Sequence, residues 1–412
     1  MTRSPLVLAA LASAAVPGLD PVAVEGVRAR PSGSFDVAFV TDKQERRWVI
    51  KAPMTHGAGA ELEAVAALGP LLGRRLELAM PLVRGTVPIP EGRAIVYLRL
   101  PGRPLDFAAL PPGELAAGVG RALAHVHNIE LAVFEEAGRP VYDAESHRRR
   151  QLSELDRAAA TGHVPTNLLT RWEQRLEDIS LWRFAPTTVH GSFLGDNVLA
   201  SFDDDDHAEA GEVRGVLGWE ESRVGDPADD FAELVRLASP AAVDDVLRAY
   251  ARARVERPDG NLLARARLAA EMTPMRLLLR ALAAGARHRV EDAAESLREL
   301  ERRTTEEDER RAFEAQTTAQ EAAAAAPIGP PEPNWDATQP HPAFPDLSQT
   351  QPVGDLQDPD HETRPDHETG RDHGQGGDEA IPGPSDQDGE GSPDQAEAAG
   401  QEEPAGRSVR NG

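Results

Sequence analysis

The 412-residue chain has no cysteine. That excludes disulfides, thiolate-bound metals, iron–sulfur clusters and a cysteine nucleophile, and it fits a reducing cytoplasm. Lysine is almost as scarce. Of 44 basic residues only Lys43 and Lys51 are lysine, and the rest are arginine. Positive charge is also in deficit, with a formal net charge of -25. A surplus of acids this large argues against gripping nucleic acid, which is bound through Lys and Arg, and against an anionic membrane surface. No apolar run reaches the ~20 residues that span a bilayer. The longest, Pro5 to Val16, follows Arg3, and its Ala12-Ser13-Ala14 could pass for a signal-peptidase site. The preferred reading is an Ala/Leu helix that packs on the body and stops at Pro17-Gly18.

What is present falls into segments, and the length allows two or three domains. Residues 1–100 read as a β-rich lobe. Val22 to Arg28, Phe35 to Val40 and Arg47 to Lys51 are strand-like, separated by the turn Pro31-Ser32-Gly33-Ser34 and the charged turn Thr41 to Arg46. A helix follows at Gly59 to Leu72. A second strand pair, Leu82 to Val87 and Arg93 to Leu100, ends at the hinge-like Pro101-Gly102-Arg103-Pro104. Residues 101–303 read as a mainly helical lobe, with helices over 113–133, 147–180, 229–255 and 260–289. Val198 to Phe202 and Val213 to Trp219 are short strands joined by Asp203 to Asp206. Those four adjacent acids suit a solvated hairpin tip better than a cation site. Charge at Asp292, Glu295, Glu299, Arg302 and Arg303 marks a long helix that extends over 304–326. Residues 327–412 hold 19 acids and four arginines, are rich in Pro and Gly, and have no aliphatic periodicity. Such a segment cannot offset its ordering entropy and is expected to be disordered. Its repeat, Asp360-His361-Glu362-Thr363 and Asp366-His367-Glu368-Thr369, is expected to be solvated.

Lys51 ends the apolar run Trp48-Val49-Ile50-Lys51. A lysine in a chain that otherwise uses arginine suggests a need for a compact ammonium, which suits phosphate. Further on, Val189-His190-Gly191-Ser192-Phe193-Leu194-Gly195-Asp196-Asn197-Val198-Leu199 runs from loop to strand. It is followed by Gly215-Val216-Leu217-Gly218-Trp219-Glu220 and Val224-Gly225-Asp226-Pro227-Ala228-Asp229-Asp230-Phe231. With Lys51 and the helix Leu123-Ala124-His125-Val126-His127, this order and spacing resembles the aminoglycoside phosphotransferase family, kinase-like small-molecule phosphotransferases. The Trp-Glu and Gly-Asp-Pro context looks closest to its macrolide phosphotransferase branch. The resemblance covers roughly residues 5 to 300.

The resemblance implies an α+β, bilobal protein-kinase-like fold, a nucleotide cofactor (ATP or GTP) with Mg²⁺, and a small-molecule substrate. Lys51 would hold nucleotide phosphates, paired with Glu61 or Glu63. Ser32 to Phe35, Ser34 among them, would form the turn over the phosphates. Residues 97–101 would take the purine, His190 would lie in the catalytic loop, and Asn197 would bind magnesium. Asp226 and Asp230 would be structural. Two positions depart from the family. Where it has an aspartate base after His-Gly, this chain has Ser192. Where it has a metal-binding aspartate before the Trp or Phe, this chain has Gly218. Serine cannot serve as a general base, a loss of about 10²–10⁴ in rate, and glycine offers no metal ligand. Asp196 and Glu220 are the available substitutes. Residues i and i+2 of a strand share a face, which would let Glu220 lean toward the same metal.

Two readings follow. One is a catalytically impaired, nucleotide-binding or regulatory pseudoenzyme that meets a protein partner through its acidic tail. The other is an active O-phosphotransferase for a hydroxylated small molecule, with Glu220 or Asp196 standing in. Elsewhere, His125 and His127 point apart on one helix and suit one exposed and one buried ring. His147-Arg148-Arg149-Arg150 reads as a solvated helix start.

Overall fold

The structure is a computed structural model that describes residues 2–27, 33–202 and 211–325. Pro31 and Ser32 of the first turn, the acid run 203–206 and the segment 327–412 lie outside the described residues.

Five short strands build the first lobe, of which Phe35–Asp42 alternates strictly between buried and half-buried residues. Strands β1 (Pro21–Val27), β2 (Phe35–Asp42), β3 (Arg47–Pro53), β4 (Val83–Ile89) and β5 (Gly92–Leu98) form one sheet in the order β1-β2-β3-β5-β4. Every neighbouring pair is antiparallel. Ala38, Val40, Trp48, Ile50 and Val96 point to one face. Helix α1 (Pro5–Ala15) covers that face with Leu8, Ala9, Ala12 and Ala15. Ser4 caps the helix, and Gly85 lets its end approach β4: a Cβ there would stand 2.1 Å from the Ala15 carbonyl oxygen. The opposite face carries Val49, Ile95 and Tyr97, with α2 (His56–Leu72) laying Leu62 against them. The period of two therefore turns Lys51 to the α2 side, away from α1.

After Leu98 the chain crosses to the second lobe through β6 (Arg103–Pro104). Helix α3 (Glu114–His127) crosses the core, with Leu115, Val119, Leu123 and Val126 buried at helical spacing. It is followed by α4 (Leu131–Glu136), α5 (Ala144–Ala159) and α6 (Thr166–Glu177). Strands β7 (Thr187–Val189), β8 (Val198–Ser201), β9 (Glu212–Val216) and β10 (Arg223–Gly225) come next. They form a β6-β8-β9 sheet and a β7-β10 pair. Helices α7 (Ala232–Leu237), α8 (Pro240–Ala253), α9 (Leu262–Glu271), α10 (Thr273–Ala283) and α11 (Arg287–Ala325) complete the lobe.

Val243, Val246 and Tyr250 of α8 pack on α3 in one core. Trp172, Leu268, Met275, Leu278, Leu297 and Leu300 make a second, which fastens the start of α11. Among the described residues the last buried one of α11 is Thr304. At 1.5 Å per residue this 39-residue helix is roughly 58 Å long. Among the described residues no helix is long and apolar enough to cross a membrane.

Candidate active site

Between sheet and helices lies a cleft of about 1020 Å³. Its roof is the α2-side face of the sheet, where Phe35, Val37 and Val49 alternate into the opening beside Tyr97. Leu199 and Leu217 face them from below. Ser34 lines the mouth, and Lys51 lies within.

The Lys51 ammonium donates to Glu220 Oε1 at 2.6 Å and sits 4.2 Å from the centre of the Phe35 ring. Both partners of the ion pair are largely buried, with side chains 15% and 13% exposed. Burial pushes the Glu220 carboxyl up, but the charge and hydrogen bond of Lys51 outweigh it, so the acid stays below its ordinary range. The partner of Lys51 is therefore Glu220, in place of Glu61 or Glu63. Glu61 lines the cleft from α2. Burial and the charges of Glu221 and Glu220 hold its carboxyl above the usual range. Glu63 is exposed and outside the cleft lining.

Glu220 reaches the cleft by a turn, which corrects the strand geometry expected for 218–220. The chain leaves β9 at Val216, and Gly218 takes a left-handed φ of 81° that few side-chain-bearing residues adopt. Trp219 to Glu221 then form a 3-10 turn. Trp219 anchors it from inside: its indole donates to the Val216 carbonyl at 3.0 Å and meets the His190 ring edge-on at 4.7 Å. Arg139 fastens it from the far side, donating to the carbonyls of Glu220 at 2.6 Å and Ser222 at 2.8 Å.

The His-Gly loop is held from below by Asp230, which accepts from the backbone N–H groups of His190 and Gly191, each at 2.7 Å. Its carboxylate also meets His127 Nε2 at 3.0 Å, while His127 Nδ1 meets the Tyr250 hydroxyl at 2.8 Å. His127 is buried and His125 half-exposed, 3.5 Å from Glu77. His190 is buried, and desolvation pushes its imidazole pKa down. Ser192 faces the cleft, and its carbonyl accepts from Asn197 Nδ2 at 2.7 Å. Asn197 fills the space beside residue 218: a Cβ on Gly218 would stand 2.6 Å from that same Nδ2. Asp196 lines the cleft and is exposed. Asp226 is held by Arg265, Nε at 2.7 Å and an Nη at 3.2 Å.

The donor set suits a metal that arrives with its ligand. Mg²⁺ is commonly held by one or two carboxylates plus phosphate oxygens, and Glu220 and Asn197 bring a carboxylate and an amide to the cleft that holds Lys51. Among the described residues no group of three or more His, Asp or Glu side chains forms a self-contained metal cage.

Sequence reasoning missed two features. Arg139 carried no local signal. Helices α5 and α10 turn a polar face to the cleft, including Arg150, Glu154, Arg157, Arg276 and Arg280. The helical spacing of 150, 154 and 157 was the available sign. Of the basic cluster, Arg148 and Arg149 pair with Glu145, as a solvated helix start would. His147 instead is buried between Trp182 and Phe184, and Arg150 faces the cleft.

Residues 26–270 match the family described as the phosphotransferase enzyme family. The uncharacterized protein YcbJ of Bacillus subtilis (strain 168) is 24% identical over 215 residues, which are 48% of this chain and 65% of that protein. The chain thus spans less than two thirds of that relative's length. Among solved structures, the macrolide 2'-phosphotransferase MphH from Brachybacterium faecium, an apoenzyme, is 25% identical with a TM-score of 0.59, covering 71% of this chain and 97% of that one. The GDP complex of wild-type aminoglycoside 2'-phosphotransferase-IIIa shares the fold at 17% identity, with a TM-score of 0.61 over 73% of this chain and all of that one.

Proposed function

The chain belongs to the phosphotransferase enzyme family, and from that premise we propose that its cleft binds a nucleoside triphosphate with Mg²⁺ but transfers the phosphoryl group poorly. The observation that carries this reading is the Lys51–Glu220 ion pair, 169 residues apart in sequence and inside the cleft. It brings the lysine suited to phosphate together with a carboxylate that replaces the one lost at Gly218. Lys51 holds phosphate oxygens, and the roof of Val37, Val49 and Tyr97 covers the base. Glu220 and Asn197 hold the metal, which neutralises charge on the phosphates when bound. Ser192 stands where a base is needed and cannot take the acceptor proton, at a cost of about 10²–10⁴ in rate. Retention of Glu220 on Lys51 also favours the second reading, residual O-phosphotransferase activity toward a hydroxylated small molecule like those of the macrolide and aminoglycoside enzymes.

The test is thermal denaturation of the full chain with ATP or GTP, with and without Mg²⁺. One-site binding at 100 times Kd adds about 2.7 kcal/mol. The expected result is a magnesium-dependent shift that Lys51→Ala abolishes and Glu220→Gln makes insensitive to magnesium. No shift with either nucleotide overturns the proposal. Steady turnover on an acceptor at rates typical of kinases overturns the claim of impairment.

A further inference from the structure

We propose that the α5–α10 wall of the cleft receives the acceptor, and that this acceptor is a hydroxylated compound bearing a carboxylate. The inference rests on the reading of the cleft as a phosphotransferase site and adds the chemical class of its second ligand.

Four arginines face the cleft from these two helices: Arg150 and Arg157 on α5, Arg276 and Arg280 on α10. Among the described residues two carboxylates lie within 4.0 Å of them. Arg280 takes Glu221 at 2.7 Å. Glu154 is shared, with Oε1 at 3.4 Å from Arg150 Nε and Oε2 at 3.3 Å from Arg276 Nε. Both distances exceed the 2.7–2.9 Å of a good charge-assisted bond; Arg150 also lies 5.0 Å from the centre of the Tyr142 ring, and the charge of Arg276 also acts on Asp229. Arg157 has no carboxylate within 4.0 Å among the described residues. Its Nε leans on the Ser153 carbonyl of its own helix at 3.4 Å. Counted against the carboxylates within 4.0 Å, the four arginines of the wall exceed their partners by two, in a chain whose net charge is -25.

Guanidinium forks match carboxylate oxygens in pairs, and they repel an ammonium. The wall is also continuous with the phosphate end of the cleft. Arg280 holds Glu221, and the next residue back, Glu220, holds Lys51. An acceptor anchored by its carboxylate on Arg157 and Arg276 extends its hydroxyl toward Ser192 and Lys51. A polyamine acceptor meets like charge along the same path.

The test is ligand-observed NMR titration of the full chain with two charge-matched series: glucuronate, glucose and glucosamine, then glycerate, glycerol and serinol. Within at least one series the acid is expected to bind about tenfold or more tightly than the neutral compound, and the amine more weakly still. Arg157→Gln and Arg276→Gln should each weaken the acid about tenfold and leave the neutral compound unchanged. Arg157 is exposed, so that variant is not at risk of misfolding. The proposal is overturned if an amine binds as well as its acid, if neither variant changes acid binding, or if neither acid binds saturably. Nucleotide–Mg²⁺ stabilisation, measured on the same samples, reports the phosphotransferase reading separately. Its persistence alongside failed acid binding sinks this inference alone, and its loss sinks the reading beneath it.

Discussion

Gly218 occupies a position with no room for a side chain. Its left-handed backbone costs an ordinary L-residue about 1–2 kcal/mol, and the Asn197 amide lies where a Cβ belongs. That amide is tied to the Ser192 carbonyl, so it cannot swing away without breaking its own bond. Gly218→Ala is therefore expected to destabilise the protein by roughly 1–3 kcal/mol in urea denaturation. An unchanged midpoint would mean that the loop relaxes freely. The same crowding bears on restoring an aspartate at 218. The substitution must pull Asn197 off Ser192, so a carboxylate is gained while the neighbouring amide is disturbed.

At the scale of elements, the turn Trp219–Glu221 depends on a residue with no part in it. Arg139 joins the Glu220 and Ser222 carbonyls across 81 and 83 residues. Its guanidinium is buried, and desolvation lowers its pKa against the pull of Glu61 and Glu220. A lysine keeps the charge but has no planar fork to span two carbonyls. Arg139→Lys is expected to cost about 2 kcal/mol of stability and to weaken the magnesium dependence of nucleotide binding by about tenfold, as Glu220 loses its fixed aim. Full magnesium dependence in this variant would show that Trp219 and the ion pairs of Glu220 and Glu221 hold the turn without it.

This contrast also explains what was legible in the sequence. Strand β2 announces itself through period-two burial and the helices α2 and α3 through helical burial, because each buries one face along its own length; β3, covered on both faces, shows instead as a short apolar run. The Pro101-Gly102-Arg103-Pro104 break stands in the sequence as it stands in the chain path. The pairing of β7 with β10 does not, since three-residue strands carry no period. The turn at 218 differs from the strand expected there because Val213 to Trp219 is mostly apolar and ends on Trp, and one glycine's φ breaks it. Arg139, and Glu220 as the partner of Lys51, are long-range contacts whose only trace is the final geometry.

At the scale of the whole molecule, the helical lobe is fastened by buried acids whose pairing sets its response to acid. Burial pushes Asp229 up, and the opposing charges of His147, Arg223 and Arg276 bring it down from 3.8 to about 2. Burial also opposes Asp230, and the hydrogen bond and charge of His127 carry it below its ordinary value. A carboxylate depressed in the folded state contributes its full stabilisation above its unfolded pKa, and loses it as pH falls through the folded one. For Asp229 that window runs from about 4 to about 2 and corresponds to roughly 2 kcal/mol. Glu61 and Asp226 have the opposite sign. Burial raises both carboxyls, which disfavours the folded state at neutral pH, and protonation relieves this as pH falls toward their unfolded values. Stability should therefore hold or rise slightly on mild acidification and drop steeply below about pH 4. Asp229→Asn should be less stable than the parent at pH 7, because it leaves Arg223 without its acid, and the two should converge near pH 2. Urea denaturation of both proteins at intervals from pH 7 to 2 makes the comparison. Parallel curves, with the gap unchanged at low pH, would place the acid sensitivity of the molecule elsewhere than in this paired group.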